Sequence, residues 1–221
     1  MNYLKNFYKN NTKKNLNKWE HYFDIYDENF FKFRNTKITI LEIGVFRGGS
    51  LKMWQNYFGP DTKIIGIDID PLCKQYEDNN IKIYIGDQTE ENFLQSILKE
   101  NDNPDIIIDD GGHTSNQQIS SFNFLYENLN LGGIYLVEDT HTSYSKDFQD
   151  REDNLTFTEY AKILSDELND WYRVQNYKFY KQKIDQVEVS YWAKFIYRIS
   201  FYNSIVAIEK RKSKIPFSQI K

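Results

Sequence analysis

The sequence predicts an α/β fold: a doubly wound, mostly parallel sheet with helices on both faces and a late antiparallel hairpin. Three observations carry that prediction. Five short apolar runs recur at intervals that leave room for a helix or loop between them. Several of these runs end on an acidic residue or lead into glycine, and two β-rich runs close the chain about a tight "NS" turn. Strands alternating with helical stretches are the pattern of βαβ units and hence of a parallel sheet.

Residues 1 to about 17 are polar and rich in Asn and Lys, and are expected to form a loosely held arm. "WEHYFDIYDENFFKF" then places Trp19, Tyr22, Phe23, Tyr26, Phe30 and Phe33 three or four residues apart, the spacing of one helix face. From Lys37 the period changes, and "KITILEIGV", "TKIIGIDID", "NIKIYIGD", "PDIIIDD" and "GGIYLVED" read as strands. Between the last two, "SNQQISSFNFLYENL" sets Ile119, Phe122, Leu125 and Leu129 on one helical face. Thr114 or Ser115 opens that helix and Gly132-Gly133 stops it. "TFTEYAKILSDELNDWY" gives a further helix, Arg173 to Ser190 follows no clear period, and "RISFYNSIVAIEK" gives the hairpin at the sheet edge. The expected organisation is an N-terminal arm and amphipathic helix over 1–36, then one domain over 37–221 with an insertion around 146–190.

At 221 residues the chain can bury a sizeable core. A net charge of -4 with both signs mixed leaves no footprint for nucleic acid. The basic "KNNTKK" and "KRKSK" near the two ends read as solvated charge. The single Cys73 excludes a disulfide scaffold and a cysteine zinc cluster, and fits a reducing compartment. No signal-peptide pattern opens the chain and no apolar run approaches the roughly 18 residues of a spanning helix. A cytoplasmic protein without membrane insertion is expected.

The glycines after the first strand, in "LEIGVFRGGSL", sit between a strand and a helix starting near Ser50. Glycine lets backbone approach a ligand and a helix N-terminus offers free N–H groups, although a plain packing turn would use the same residues. Phe46 stands two residues after Gly44, where the dinucleotide fingerprint G-x-G-x-x-G needs glycine, so a nicotinamide oxidoreductase is disfavoured. Asp68 ends the second strand, in position to bind both ribose hydroxyls of an adenosine, and Asp87 ends the third beside the adenine. Three successive strand ends carrying Gly44, Asp68 and Asp87 favour a nucleoside cofactor on a Rossmann-like sheet.

The fourth and fifth strands are expected to be neighbours about 4.8 Å apart. Asp109, Asp110, Glu138 and Asp139 would then crowd at one sheet edge, with no Lys or Arg in either segment to neutralise them. An oxygen-rich, hard-ligand set of this kind suits Mg²⁺ or Mn²⁺. His113, on the glycine-hinged loop after Asp110, has two readings: general base facing that pocket, or helix cap and structural partner of a carboxylate. His141 is the rival base or a substrate-positioning group, and His21 is a packed surface histidine or part of a lid.

In this order the motifs resemble the class I S-adenosylmethionine-dependent methyltransferases: "LEIGV" the glycine motif, "GIDID" the ribose-binding strand end, "GDQ" the adenine side. More narrowly, "ILEIGVFRGGSLKMWQNYF", "IDDGGHTSNQQ" and "VEDTHTSY" are similar to metal-dependent sugar O-methyltransferases of macrolide biosynthesis, from about Lys18 through Tyr144. The resemblance implies S-adenosylmethionine as co-substrate and Mg²⁺ held by Asp110, Glu138 and Asp139. His113 is the implied base, with Asp110 and His141 beside it. Glu42, Gly44, Gly48, Ser50, Asp68, Asp87, Gln88 and Asp109 are the implied cofactor-binding set. The implied acceptor is a hydroxyl of a sugar or glycan precursor, from a capsule, a lipopolysaccharide or a natural product. Homo-oligomers are common among such relatives. Residues 146–190 have no counterpart in the resemblance. Two alternatives stay open: a metal-independent methyl- or aminopropyl-type transferase, and a non-catalytic S-adenosylmethionine-binding partner protein.

Overall fold

The structure, a computed structural model, describes residues 3–13, 15–173, 188–214 and 216. The five expected strands are β1 (Thr39–Ile43), β2 (Lys63–Asp68), β3 (Ile81–Ile85), β4 (Ile106–Asp109) and β5 (Ile134–Val137). The closing hairpin is β6 (Ile196–Tyr202) and β7 (Ile205–Lys210). They form one seven-stranded sheet ordered β3-β2-β1-β4-β5-β7-β6, parallel from β3 to β5 and antiparallel across β5, β7 and β6. Strand order reverses between β1 and β4, and open sheets of this kind bind ligands at the carboxyl ends beside such a reversal.

Two packed layers sandwich the sheet. Helices α2 (Tyr22–Phe30) and α3 (Gly49–Phe58) cover one face, where Tyr26, Phe30, Trp54 and Phe58 pack on Ile40, Ile64, Ile83, Ile108 and Leu136. Helices α4 (Glu91–Glu100), α5 (Ser115–Asn128) and α6 (Phe157–Glu167) cover the other, where Ile97, Phe122, Leu125 and Phe157 pack on Leu41, Ile65, Ile107 and Tyr135. Successive strand residues point to opposite faces. In β1, β4 and β5 the even-numbered residues therefore face α2 and α3, and the odd-numbered ones face α5 and α6. That parity decides which acidic residues meet.

Two local expectations differ from the structure. The N-terminal arm is not loose: Tyr3–Asn10 forms helix α1, and Leu4, only 1% exposed, inserts into the core beneath α2 and α3. Trp19 does not join the apolar face of α2, because that helix starts at Tyr22 and leaves Trp19 57% exposed in the preceding turn. A short helix α7 (Tyr191–Phe195) leads into β6. Within the expected insertion, residues 174–187 lie outside the described residues. Among the described residues no helix is long and apolar enough to cross a membrane.

Candidate active site

A cleft of about 500 Å³ opens over the carboxyl ends of β1 to β4. Its β1 wall needs glycine at position 44, where φ is +92° and an added Cβ would overlap the carbonyl oxygen of Asp110. Phe46 occupies the left-handed region that glycine ordinarily fills, with φ +49°. Asp68 holds it there: Oδ2 accepts from the N–H groups of Val45 (2.8 Å) and Phe46 (2.9 Å), and Oδ1 from that of Asp70 (2.9 Å). Burial opposes ionisation of Asp68, but these three donors outweigh it and hold the carboxyl below its usual range. The cleft continues past Asp87, whose Oδ1 accepts from the backbone and hydroxyl of Thr89, and past the side chain of Gln88.

The β4–β5 wall is carboxylate. The β4–β5 register ends on Asp109 beside Val137, so one residue further Asp110 lies beside Glu138. Both are even-numbered and face the α2 side, as does Glu42 on β1. Lys18, 92 residues from Asp110 in sequence, reaches into this group: its ammonium donates to Asp110 Oδ2 at 2.5 Å and to both Glu138 oxygens at 2.8 Å. Tyr26 Oη donates to Glu138 Oε1 at 2.6 Å, and Tyr22 Oη to Asp139 Oδ1 at 2.6 Å. Burial alone would favour the neutral amine of Lys18; the charges of Asp110, Glu138 and Glu42 outweigh it and keep the ammonium. Burial and Asp110 push the Glu138 carboxyl above its ordinary value, against the opposing pull of Lys18 and Tyr26. Burial likewise raises Glu42 to about 7.

His113 completes the wall. Its Nε2 lies 3.5 Å from Asp139 Oδ2 and 3.9 Å from Asp110 Oδ1, and its buried Nδ1 has no hydrogen-bond partner among the described residues. Asp110, His113 and Asp139 each bring a ligating atom within 4.8 Å of the others. Both His113 (φ +61°) and Asp139 (φ +53°) are in the left-handed region, a strain that persists only where the surroundings impose it. The hydroxyl of Thr142 donates to the His113 carbonyl at 3.0 Å. Thr114, not His113, caps α5, in a reciprocal box with Gln117. The histidine ring is thereby left to the cleft.

The structure thus gathers Gly44, Asp68, Asp87, Gln88, Asp110, His113 and Asp139 around one cleft. Asp110, Glu138 and Asp139 also meet in a neighbouring cavity of about 290 Å³ that includes Lys18, Trp19 and Tyr22. Four residues of the expected cofactor set, Glu42, Gly48, Ser50 and Asp109, do not line this cleft. Asp109 is odd-numbered, turns toward α5, and is fully buried with Ser121 Oγ donating to Oδ2 at 2.7 Å. Glu42 is fully buried beneath the turn, accepting from Ser50 Oγ at 3.1 Å, so neither side chain lines the cleft. Gly48, φ +67°, is required by packing, since a Cβ there would lie 2.6 Å from the Tyr76 ring. His141 is half exposed outside the cleft, with Nδ1 2.6 Å from Ser204 Oγ, and His21 Nε2 lies 3.1 Å from the carbonyl of Asn203. Neither carboxylate segment holds a Lys or Arg, and the cation that meets them, Lys18, comes from outside both. Lys18 carries no signal as a site residue in the sequence, because it belongs to a distant segment without a motif of its own.

No family model matches the chain. Curated sequences do: it is 35% identical over 133 residues to an 8-demethyl-8-(2-methoxy-alpha-L-rhamnosyl)-tetracenomycin-C 3'-O-methyltransferase of Streptomyces olivaceus, covering 57% of this chain and 34% of that protein. It is 37% identical over 136 residues to the mycinamicin VI 2''-O-methyltransferase of Micromonospora griseorubida, covering 58% and 33%. Among solved structures, MycE methyltransferase of the mycinamycin biosynthetic pathway, in complex with Mg, SAH and mycinamycin VI, superposes with a TM-score of 0.77. Identity is 27%, covering 95% of this chain and 53% of that one. The chain has the class I methyltransferase fold. By sequence and structure it is related to the sugar O-methyltransferases, and it spans about a third of the length of those curated relatives.

Proposed function

We propose that this methyltransferase-fold chain transfers the methyl group of S-adenosylmethionine to a hydroxyl of a sugar or glycan precursor, with Mg²⁺ at the carboxylate wall. The convergence of Asp110, His113 and Asp139 on a cleft that also holds Gly44, Asp68 and Asp87 supports this reading best. The cofactor would lie along the turn at Gly44, its ribose at Asp68 and its adenine toward Asp87. The acceptor would enter from the cavity at Trp19 and Tyr22, which shares Asn17, Asp110 and Asp139 with the cleft. The donor set fits a hard cation: three carboxylates meet, and the buried ammonium of Lys18 already stands among them.

Asp110 and Asp139, with Glu138, would hold the cation, which when bound lowers the pKa of a coordinated hydroxyl and orients it. His113 Nε2 would take the acceptor proton, and Asp139 beside it would stabilise the charged ring. Displacement at the sulfonium then forms the new C–O bond as the C–S bond breaks, leaving S-adenosylhomocysteine. The acceptor is a small molecule or glycan from a capsule, a lipopolysaccharide or a natural product. Neither nucleic acid nor a membrane span enters the reading, and the cytoplasm is its setting.

Calorimetric titration with S-adenosylhomocysteine, with and without Mg²⁺, tests the reading first. Micromolar affinity is expected, weakened in Asp68→Ala by about 10-fold or more, the cost of about one charge-assisted hydrogen bond. No binding in the wild type would remove the methyltransferase reading. Methyl transfer that survives excess chelator would favour a metal-independent transferase instead.

A further inference from the structure

The ammonium of Lys18 has three N–H donors, and three carboxylate oxygens answer them: Asp110 Oδ2 and both oxygens of Glu138. Its side chain is only 3% exposed. These two carboxylates belong to the oxygen-only set suited to a hard divalent cation, and an ammonium is a compact point charge that takes the same oxygens. With Lys18 in place, Glu138 Oε1 is shared between Lys18 and Tyr26 and Oε2 accepts from Lys18, so an ammonium stands where a cation bridging Glu138 and Asp110 would bind. What remains facing the cleft is Asp110 Oδ1, Asp139 Oδ2 and the imidazole of His113. Imidazole is a ligand of zinc and other transition metals rather than of Mg²⁺. The occupied set, not the open one, is therefore the magnesium-type set.

Lys18 sits in the strap between α1 and α2, which runs across the edge of the site. Asn15 passes so close to Gly49 that a Cβ there would overlap the Asn15 carbonyl, and Asn17 lines both the cleft and the neighbouring cavity. The grip on Asp110 and Glu138 ties this strap to the ends of β4 and β5.

Resting on the metal-dependent reading above, we propose that Lys18 and a divalent cation are alternative occupants of the Asp110–Glu138 pair. Lys18 is a positioning residue: it holds the two carboxylates together before the metal arrives, and metal entry displaces its ammonium and loosens the strap over residues 15–20. Nothing in this requires S-adenosylmethionine, so the exchange is measurable in the protein alone.

Mn²⁺ titration of the wild type and of Lys18→Met, followed by calorimetry or by the free Mn²⁺ resonance signal, is the direct test. Lys18→Met keeps the length of the side chain and removes its charge, and is expected to bind Mn²⁺ at least tenfold more tightly. Equal or weaker affinity in a natively folded variant, or no Mn²⁺ binding by either protein, overturns the proposal. In the wild type, saturating Mg²⁺ is expected to speed backbone hydrogen exchange over residues 15–20. Unchanged or slower exchange there overturns the proposal, and this arm decides alone if the variant does not fold. S-adenosylhomocysteine binding, measured alongside, separates the two readings: its absence removes the methyltransferase reading, whereas unchanged Mn²⁺ affinity removes only the exchange.

Discussion

The two halves of the site answer their carboxylates in opposite ways. On the β2–β3 side the acids are answered by their own neighbourhood: Asp68 by the N–H groups of Val45, Phe46 and Asp70, Asp87 by Thr89. On the β4–β5 side they are answered from a distance, by Lys18, Tyr22 and Tyr26 on the N-terminal strap and helix α2. Local backbone donors fix a carboxylate in one place and keep it charged. Remote side chains can be withdrawn. The first half is built as a rigid cradle, the second as a wall whose charge balance can change when a ligand arrives.

The comparison is broken most severely at His113, which lies on the changeable side yet is held by local strain. His113→Ala is expected to lower methyl transfer by about 10²–10⁴-fold, the usual contribution of a general base. S-adenosylhomocysteine affinity should stay within about threefold of wild type, as roughly 0.6 kcal/mol or less would be lost from the cradle. Single-turnover rates and calorimetry on one preparation check both numbers. A rate near wild type would assign the proton to another group, and a joint collapse of rate and affinity would merge the two halves into one.

The halves touch at Gly44, whose hydrogen-for-Cβ clearance lets the β1 turn lie on the Asp110 backbone. Gly44→Ala adds a left-handed alanine and an overlap with main chain, together about 2–5 kcal/mol of destabilisation. Chemical denaturation at neutral pH measures it. A loss below about 0.5 kcal/mol would mean that the turn relaxes freely and that the two walls are not coupled through it.

How much of this was legible follows the same division. The five strands, the hairpin, the α5 face and the cluster of acidic strand ends were readable because each rests on a local pattern: apolar runs, a helical period, glycine at a turn. The choice between Asp109 and Asp110 was not readable. A strand covered on both faces shows a continuous apolar run, here Ile106-Ile107-Ile108, and hides the alternation that would say which acid faces the cleft. Only the packing of Phe122 and Tyr135 on one face and Tyr26 and Trp54 on the other restores the parity. Lys18 was illegible for a different reason: a contact spanning 92 residues leaves no trace in spacing. The same holds for α1, where a single buried Leu4 converts a polar-looking arm into a docked helix.

Glu42 sharpens the comparison because it belongs to the cradle's strand but faces the wall's cation. It is fully buried, and burial raises its carboxyl from an ordinary 4.5 to about 7 despite the attraction of Lys18. With the folded value above the unfolded one, its contribution to stability is whole below about pH 4.5. It is lost as pH rises toward 7, because the unfolded chain can then ionise this group in water while the fold must bury the charge. Glu42→Gln mimics the protonated acid and keeps an amide oxygen that can accept from Ser50 Oγ. The variant should match wild type near pH 4.5 and exceed it above pH 7. Each unit of displacement is worth about 1.4 kcal/mol, so a gain of about 1–3 kcal/mol is expected near pH 8. Thermal unfolding at pH 4.5, 6 and 8 gives the sign directly: a difference that widens with pH places the unexchanged charge burden on Glu42. A pH-independent difference would instead show that Glu42 stays ionised inside the fold beside Lys18, and would extend the changeable wall to include β1.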